Sequence, residues 1–266
     1  MRNPPRISII TPSYNQGHFI EDTIRSVLDQ RYPDLEFIVM DGGSTDETIS
    51  ILKKYGDDIK WVSEPDEGQS HAINKGLAMA TGDIVAYLNS DDLYEKGVLK
   101  KVASFFMLNP DSMWLTGRCR IIDEKEREFR GFIAKYKNFL LARYNYNILL
   151  ITNFICQPAT FFRREVIEEL GVFDVTEHRV MDYEYWLRIG KKYRPGIINE
   201  NLACFRVYQE SKTSSTFTRT FAEELAVSKR YSSSLLIDSL HYLNYIAIIT
   251  AYSVLDKLWR KNKTLP

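Results

Sequence analysis

The densest chemistry in the sequence is Asn89-Ser90-Asp91-Asp92, two adjacent carboxylates directly after the apolar run Ile84–Leu88. Hard divalent cations such as Mg²⁺ and Mn²⁺ prefer oxygen ligands and bridge phosphates, so such a pair beyond a buried strand suits a metal held against a phosphate. Adjacent side chains point in different directions, which lets one carboxylate ligate metal while the other grips a sugar hydroxyl. The competing use of such a pair is as turn or cap residues. Three more polar clusters punctuate the first quarter of the chain: Thr11-Pro12-Ser13-Tyr14-Asn15, Asp41-Gly42-Gly43-Ser44 and Glu64-Pro65-Asp66. Carboxylates gathered in one place repel one another unless a cation or donor groups neutralise them. A purely structural sheet needs none of them.

Other chemistries lack their residues. There is no G-x-G-x-x-G for a dinucleotide, no P-loop, and Asp46 stands where a nucleophile elbow after Gly42 needs glycine. His18, His71, His178 and His241 show no H-E-x-x-H spacing. Cys119, Cys156 and Cys204 are far apart and form no C-x-x-C, which predicts a reducing compartment and no zinc site.

Each cluster follows a predicted strand. Ile7–Ile10, Glu36–Met40, Ile59–Ser63 and Ile84–Leu88 are short apolar or β-branched runs bounded by turn residues. Between them, helical spacing recurs in Phe19–Leu28, in a segment capped by Ser44 or Thr45, in Gly68–Ala80, and after them in Val98–Phe106. Strands alternating with helices predict an α/β fold with an open, largely parallel sheet covered on both faces. Ligands in such sheets bind beyond the carboxyl ends of the strands, where these clusters fall. After residue 110 the rhythm changes. Trp114–Ile122 and Glu128–Ile133 read as a hairpin around Asp123–Arg127, and Asn147–Phe154 and Ala159–Arg163 as strands. Arg164–Leu170, Asp182–Lys191 and Phe217–Ser232 read as helices. The expected organisation is one domain over 1–215, its lobes being 1–110 and 111–215, with a helical extension over 216–266.

Composition narrows the class. The 266 residues are 44% hydrophobic and 26% charged, and Lys+Arg equals Asp+Glu at 35 each. Without a basic excess, nucleic acid is not an expected partner. The start of the chain has no apolar secretory core, so a cytoplasmic protein is expected. Leu235–Trp259 is apolar but interrupted by Asp238, His241 and Asn244, too polar at its start for a spanning helix. Two readings stay open for it. It lies in a membrane interface, with Trp259, Arg260, Lys261 and Lys263 at the headgroups, or it packs on its own domain or on a second copy in a homodimer.

Taken in order, these motifs resemble those of the inverting family 2 glycosyltransferases of the GT-A fold, as found in bacterial cell-surface glycan synthesis. Ser8–Asn15 with Ile24–Gln30 is similar to their first strand and helix, and Glu36–Asp46 to their second-strand signature. Glu67–Gly76 and Ala80–Asp83 match the segment before the metal motif, and Asn89–Asp92 occupies the place of D-x-D. The resemblance covers about residues 6–210. It implies a Rossmann-like mixed sheet flanked by helices, a nucleotide-sugar lobe followed by an acceptor lobe, and Mn²⁺ or Mg²⁺ as cofactor. It further implies that Pro12, Tyr14 and Asn15 line the nucleotide pocket and that Asp41 accepts a hydrogen bond from the base. Gln69, Asn74 and Lys75 then lie near the base or diphosphate, Asp91 contacts the ribose or donor sugar, and Asp92 ligates the metal.

In the second lobe, Met181–Arg188 resembles the family's E-D-x-x-L-x-x-R segment. Asp182 falls on the catalytic base, Met181 replaces the usual Glu, and Asp182 also suits a helix cap. Glu184 is expected to raise the pKa of Asp182, and both Glu184 and Gln157 to line the acceptor site. Near Phe205–Tyr208 many relatives carry a metal-binding His where this chain has Tyr208. Arg206 and Lys212 are expected to neutralise the leaving diphosphate. The implied reaction moves a sugar from a nucleoside-diphosphate sugar, UDP favoured, to a glycan or lipid-linked glycan, at the inner face of the cell membrane. Two rivals are a non-catalytic nucleotide-sugar or glycan-binding scaffold and a sugar nucleotidyltransferase. The latter needs a basic Gly-rich loop, and Thr11–Gly17 holds no Lys or Arg.

Overall fold

The computed structural model describes residues 4–129, 131–208 and 217–263. Strand β1 (Ile7–Ser13) is buried along its whole length and feeds helix α1 (Gly17–Leu28). Then follow β2 (Leu35–Asp41), α2 (Thr48–Lys54), β3 (Lys60–Ser63), α3 (Gln69–Met79) and β4 (Ile84–Tyr87). The short β5 (Leu93–Tyr94) and α4 (Val98–Leu108) complete the first half. The second half holds β6 (Trp114–Ile122), α5 (Gly131–Ala142), α6 (Tyr146–Ile151), β7 (Thr160–Arg163), α7 (Arg164–Leu170), α8 (Met181–Gly190) and β8 (Gly196–Arg206). Helices α9 (Phe217–Tyr231) and α10 (Leu235–Lys263) form the extension.

One eight-stranded sheet runs through both halves in the order β3-β2-β1-β4-β7-β6-β8-β5. The first four strands are parallel. The direction reverses at β4–β7, and β6 and β8 then pair in parallel, so the sheet is mixed. Alternation sorts its apolar residues onto two faces. Ile7, Ile9, Phe37 and Val39 pack under Ile20 and Ile24 of α1, Leu52 of α2 and Leu99 of α4. Ile10, Ile38, Val85 and Phe162 pack under Ile73 of α3, Leu149 of α6 and Trp186 of α8.

The second half corrects three readings. Asn147–Phe154 is not a strand: Asn145 caps α6, its side chain accepting from the N–H groups of Asn147 at 2.8 Å and Ile148 at 3.4 Å. That cap turns the apolar run into a helix. The pairing around Asp123–Arg127 is a turn closed by one antiparallel bridge, Ile122 to Glu128, with the Phe129 N–H donating to the Ile121 carbonyl at 3.0 Å, and Gly131–Ile133 begins α5 instead of extending a strand. Strand β8 carries no predicted counterpart, because its exposed polar centre, Asn199–Asn201, hides the apolar run behind it.

Candidate functional site

The ends of β1 and β4 and the start of α8 surround a cavity of about 460 Å³, within the usual size for a small-molecule site. Its first wall is Pro12, Ser13, Tyr14, Gln16 and Asp66. Tyr14 is 60% exposed, an aromatic shelf open to solvent. The shelf is fixed from behind. Asn15, at φ +51°, accepts from the Thr45 N–H at 2.8 Å and donates its own N–H to Ser44 Oγ at 2.7 Å. Asn15 therefore ties the β1 and β2 loops together and does not line the cavity.

Asp41 differs from expectation as well. It is 2% exposed, and its carboxylate accepts from the N–H groups of Gly43 and Ser44 and the hydroxyls of Ser44 and Ser63, all within 3.1 Å. With those acceptor sites filled it organises the β2 loop, and Asp66 is the carboxylate on that wall. A Cβ on Gly42 would stand 2.7 Å from Asp66 Oδ2, so the glycine is what lets Asp66 lie against this loop. Asn74 and Lys75 also leave the site. Asn74 bonds both main-chain groups of Phe173, at 2.8 and 3.1 Å, and Lys75 pairs with Glu64.

The cavity floor is a chain of amides. Gln69 donates to Asn89 Oδ1 at 2.6 Å, Asn89 donates to Gln157 Oε1 at 3.2 Å, and Gln157 donates to the Tyr87 carbonyl at 2.7 Å. Gln157 thus joins the parallel half of the sheet to the antiparallel half. Beyond Asn89 the two aspartates part company: Asp91 lines the cavity and Asp92 does not. Asp92 is 0% exposed and points away, accepting the Arg206 N–H at 2.9 Å and the Asn89 amide at 3.2 Å. Burial, then the charge of Asp91, pushes its pKa up. Asp91 lies on the cavity wall with Tyr208. The Tyr208 hydroxyl, held up in pKa by burial and by Asp91, lies 3.5 Å from Gln16 Oε1. These oxygens suit a hard cation. Among the described residues no three His, Cys, Asp or Glu side chains converge, so such an ion would complete its shell from phosphate and water.

Arg206 lines the cavity, and of its guanidinium only Nε and Nη1 are hydrogen-bonded, Nη2 being buried without a hydrogen-bond partner. It donates to the carbonyls of Asp91 at 2.8 Å and Glu124 at 3.0 Å, and lies over the Phe19 ring. It clamps the Asp91 turn. Lys212 lies outside the described residues. The cation the sequence reading missed is Arg179, on the opposite wall with His178, Met181 and Asp182. It donates to Glu223 of α9 at 2.9 Å.

Asp182 opens the first turn of α8, is half-buried, and accepts the Tyr183 N–H at 2.8 Å. Burial raises its pKa, against the pull of that N–H and of Lys137 on α5. Glu184 plays no part in this. It faces away from the cavity, is 5% exposed, and is held by Arg188 at 2.5 and 3.1 Å and by the Tyr231 hydroxyl. Burial, and next the charge of Asp182, raises the pKa of Glu224 on α9 to about 7, against the pull of Lys137 and the Asn153 amide. Helix α9 and its successor α10 dock here on the end of α6, where the Leu150 carbonyl meets the hydroxyls of Tyr183 and Ser228 and the His241 ring.

The family model described as Glycosyl transferase family 2 matches residues 8–171. An uncharacterized glycosyltransferase of Nostoc sp. is 28% identical over 82% of this chain and 70% of its own length. TuaG of Bacillus subtilis, named as a glycosyltransferase of teichuronic acid biosynthesis, is 42% identical over 42% of this chain and 46% of its own length. Among solved structures, Staphylococcus aureus TarS 1–349 with UDP-GlcNAc has a TM-score of 0.62 at 19% identity, covering 84% of this chain and 65% of that one. The mannosyltransferase PcManGT of Pyrobaculum calidifontis, with GDP-Man and Mn²⁺, has a TM-score of 0.69 at 21% identity, covering 91% and 69%. These likenesses are of fold, the GT-A fold.

Proposed function

The chain belongs to glycosyl transferase family 2, and from that premise we propose that it transfers a sugar, with inversion, from a nucleoside-diphosphate sugar to a hydroxyl of a glycan or lipid-linked glycan. The observation carrying this reading is that Asp91 and Asp182 open onto one cavity from opposite halves of the sheet, with an exposed aromatic shelf at its mouth. Tyr14 would stack the base, and Asp66 would accept from a base N–H, which suits uracil and makes UDP the favoured carrier. Asp91 with Tyr208 would hold Mn²⁺ or Mg²⁺, whose Lewis acidity stabilises negative charge on a leaving diphosphate. The Mn²⁺ in PcManGT supports this assignment.

Asp182 acts as general base. As the acceptor oxygen bonds to the anomeric carbon and the carbon–diphosphate bond breaks, the hydroxyl proton passes to Asp182. Attack opposite the leaving group inverts the centre. General-base help of this kind is worth on the order of 10²–10⁴-fold. Arg179 gives the acceptor wall a positive group, and the teichuronic acid biosynthesis named for TuaG supports a glycan acceptor. Among the described residues no helix is long and apolar enough to cross a membrane. The exposed Leu235, Leu236, Leu240, Leu243 and Ile246 of α10 support contact with the inner membrane surface or with a second copy.

Calorimetric titration of UDP, GDP, dTDP and CMP, with and without Mn²⁺, into wild type and Asp91→Ala tests the reading. Metal-dependent binding of one nucleotide, lost in the variant, is the expected result. Binding of none would leave the scaffold alternative in its place.

A further inference from the structure

Helices α1 and α7 turn polar side chains to solvent, as amphipathic helices do. The first exposes His18, Asp22 and Arg25, the second Glu165, Glu168 and Glu169. Helix α5 is inverted. The exposed positions of α5 and the residue after it are Phe132, Lys135, Tyr136, Phe139, Ala142 and Arg143, whose helical spacing makes them one continuous face. Phe132 is 63% exposed, Tyr136 52% and Phe139 55%. The packed side of the helix is the other one, where Leu141 enters the apolar cluster that also holds Met181 of the cavity wall. Three aromatic rings along one solvent face therefore add nothing to the core of this domain.

The charge on this face has one sign. Between Glu128 and Glu165 the sequence holds no Asp or Glu, although acidic and basic residues balance at 35 each over the whole chain. Arg130, Lys135, Lys137, Arg143, Arg163 and Arg164 all fall inside that interval. The Arg143 guanidinium carbon lies 4.1 Å from the centre of the Phe139 ring, so an exposed cation and an exposed ring stand together. Rings beside cations, with no carboxylate among them, match a headgroup layer: the rings enter the acyl boundary and the cations meet lipid phosphates. A sugar chain would need acceptors for its hydroxyls, and the only side-chain acceptor on this face is the Tyr136 hydroxyl. A second copy laid on the same face would set positive charge against positive charge.

We propose that the exposed face of α5 docks this protein on an anionic bilayer surface, with Phe132, Tyr136 and Phe139 entering the interface and Lys135 and Arg143 binding its phosphates. This surface is distinct from the α10 leucines, and docking there does not depend on the transfer chemistry. Helix α5 belongs to the half of the molecule that carries Asp182, so docking brings a lipid-borne acceptor to the half that uses it. That consequence alone rests on the proposed transfer.

Sedimentation of the full chain with vesicles of mixed phosphatidylglycerol and phosphatidylcholine, and of phosphatidylcholine alone, tests the proposal. The proteins are wild type, Lys135→Gln/Arg143→Gln and Phe132→Ser/Phe139→Ser, with thermal melting to establish folding and ultracentrifugation to follow self-association. Wild type is expected to bind the mixed vesicles and to release them at high salt. Each lost cation removes roughly fivefold, so the charge variant binds on the order of thirtyfold more weakly. The aromatic variant loses roughly tenfold or more. Wild type that fails to bind, or that binds both vesicles equally, overturns the proposal. Binding that both variants keep in full also overturns it and gives the lipid contact to α10. A wild-type dimer that the variants dissolve, without vesicle binding, makes a second copy the occupant instead. The two variants change different residues, so misfolding of one leaves the other to decide. Nucleotide affinity is expected to be equal in all three, and its absence would count against the transfer reading, not against α5.

Discussion

The two walls of the cavity are built by opposite strategies. In the nucleotide half, Glu36, Asp41 and Asp46 are satisfied from nearby loops of the same half. Glu36 is neutralised by Ser8 at 2.5 Å, Lys60 at 2.8 Å and Thr81 at 2.7 and 3.0 Å, and Asp46 by the N–H groups of Gly17 and Thr48. In the acceptor half the equivalent ties reach forward to the C-terminal helices. Glu184 depends on Tyr231, Arg179 on Glu223, and the Leu150 carbonyl on Ser228 and His241. The family match ends at residue 171, short of Asp182 and of the two C-terminal helices. The first wall is thus tied mainly within its own half, while the Asp91 turn depends on Arg206. The transfer machinery is assembled from parts distant in sequence.

Four substitutions probe that contrast. Asp182→Asn should cost on the order of 10²–10⁴-fold in kcat and leave nucleotide affinity within twofold, read by rate assay and calorimetry. A matching loss of affinity would mean the two walls are not separable. Glu184→Gln should lower stability by about 3 kcal/mol, because Arg188 and Tyr231 lose the charge they converge on. Chemical denaturation measures it, and an unchanged midpoint would show that the extension docks without this tie.

Glu36→Gln is the counterpart in the nucleotide half. Although burial works against it, the donors Lys60, Ser8 and Thr81 bring the Glu36 pKa down from 4.5 to about 2. A carboxylate depressed in the folded state contributes its stability in full above the unfolded value and loses it as pH falls through the folded one. Wild type should therefore exceed Glu36→Gln by about 2 kcal/mol at neutral pH. The gap should close between about pH 4.5 and 2. A gap constant with pH would assign the difference to packing. The smallest effect belongs to Tyr14→Ala. Removing an exposed shelf should weaken nucleotide binding by roughly fivefold, from about 1 kcal/mol of stacking, and leave the melting temperature unchanged.

Much of the nucleotide half was readable because its strands are short apolar runs with polar ends, and the fold puts those ends together. Side-chain direction was not readable. Asp91 and Asp92 form an evident pair, but which one faces the cavity depends on Arg206, more than a hundred residues on, whose N–H captures Asp92. Glu184 was chosen for its nearness to Asp182 in sequence, yet two steps along a helix turn a side chain by about 200°. Glu224 gave no signal at all. Glu223-Glu224 resembles a solvated helix face, and only the docking of α9 buries one of the two. Asp66 lay within a recognised cluster, and Gly42 was the residue that brought it to the wall.

The reach of these ties also fixes an order of events during synthesis. A chain made from its N-terminus folds its early segments first. Glu36, Asp41 and Asp46 find all the partners described above within the first 81 residues, so the nucleotide wall can close while the remainder is still being translated. The Leu150 carbonyl waits for Ser228 and His241. In a ribosome-bound intermediate the first wall would be set well before Arg206 emerges to clamp the Asp91 turn, and the last helices would complete the opposite wall.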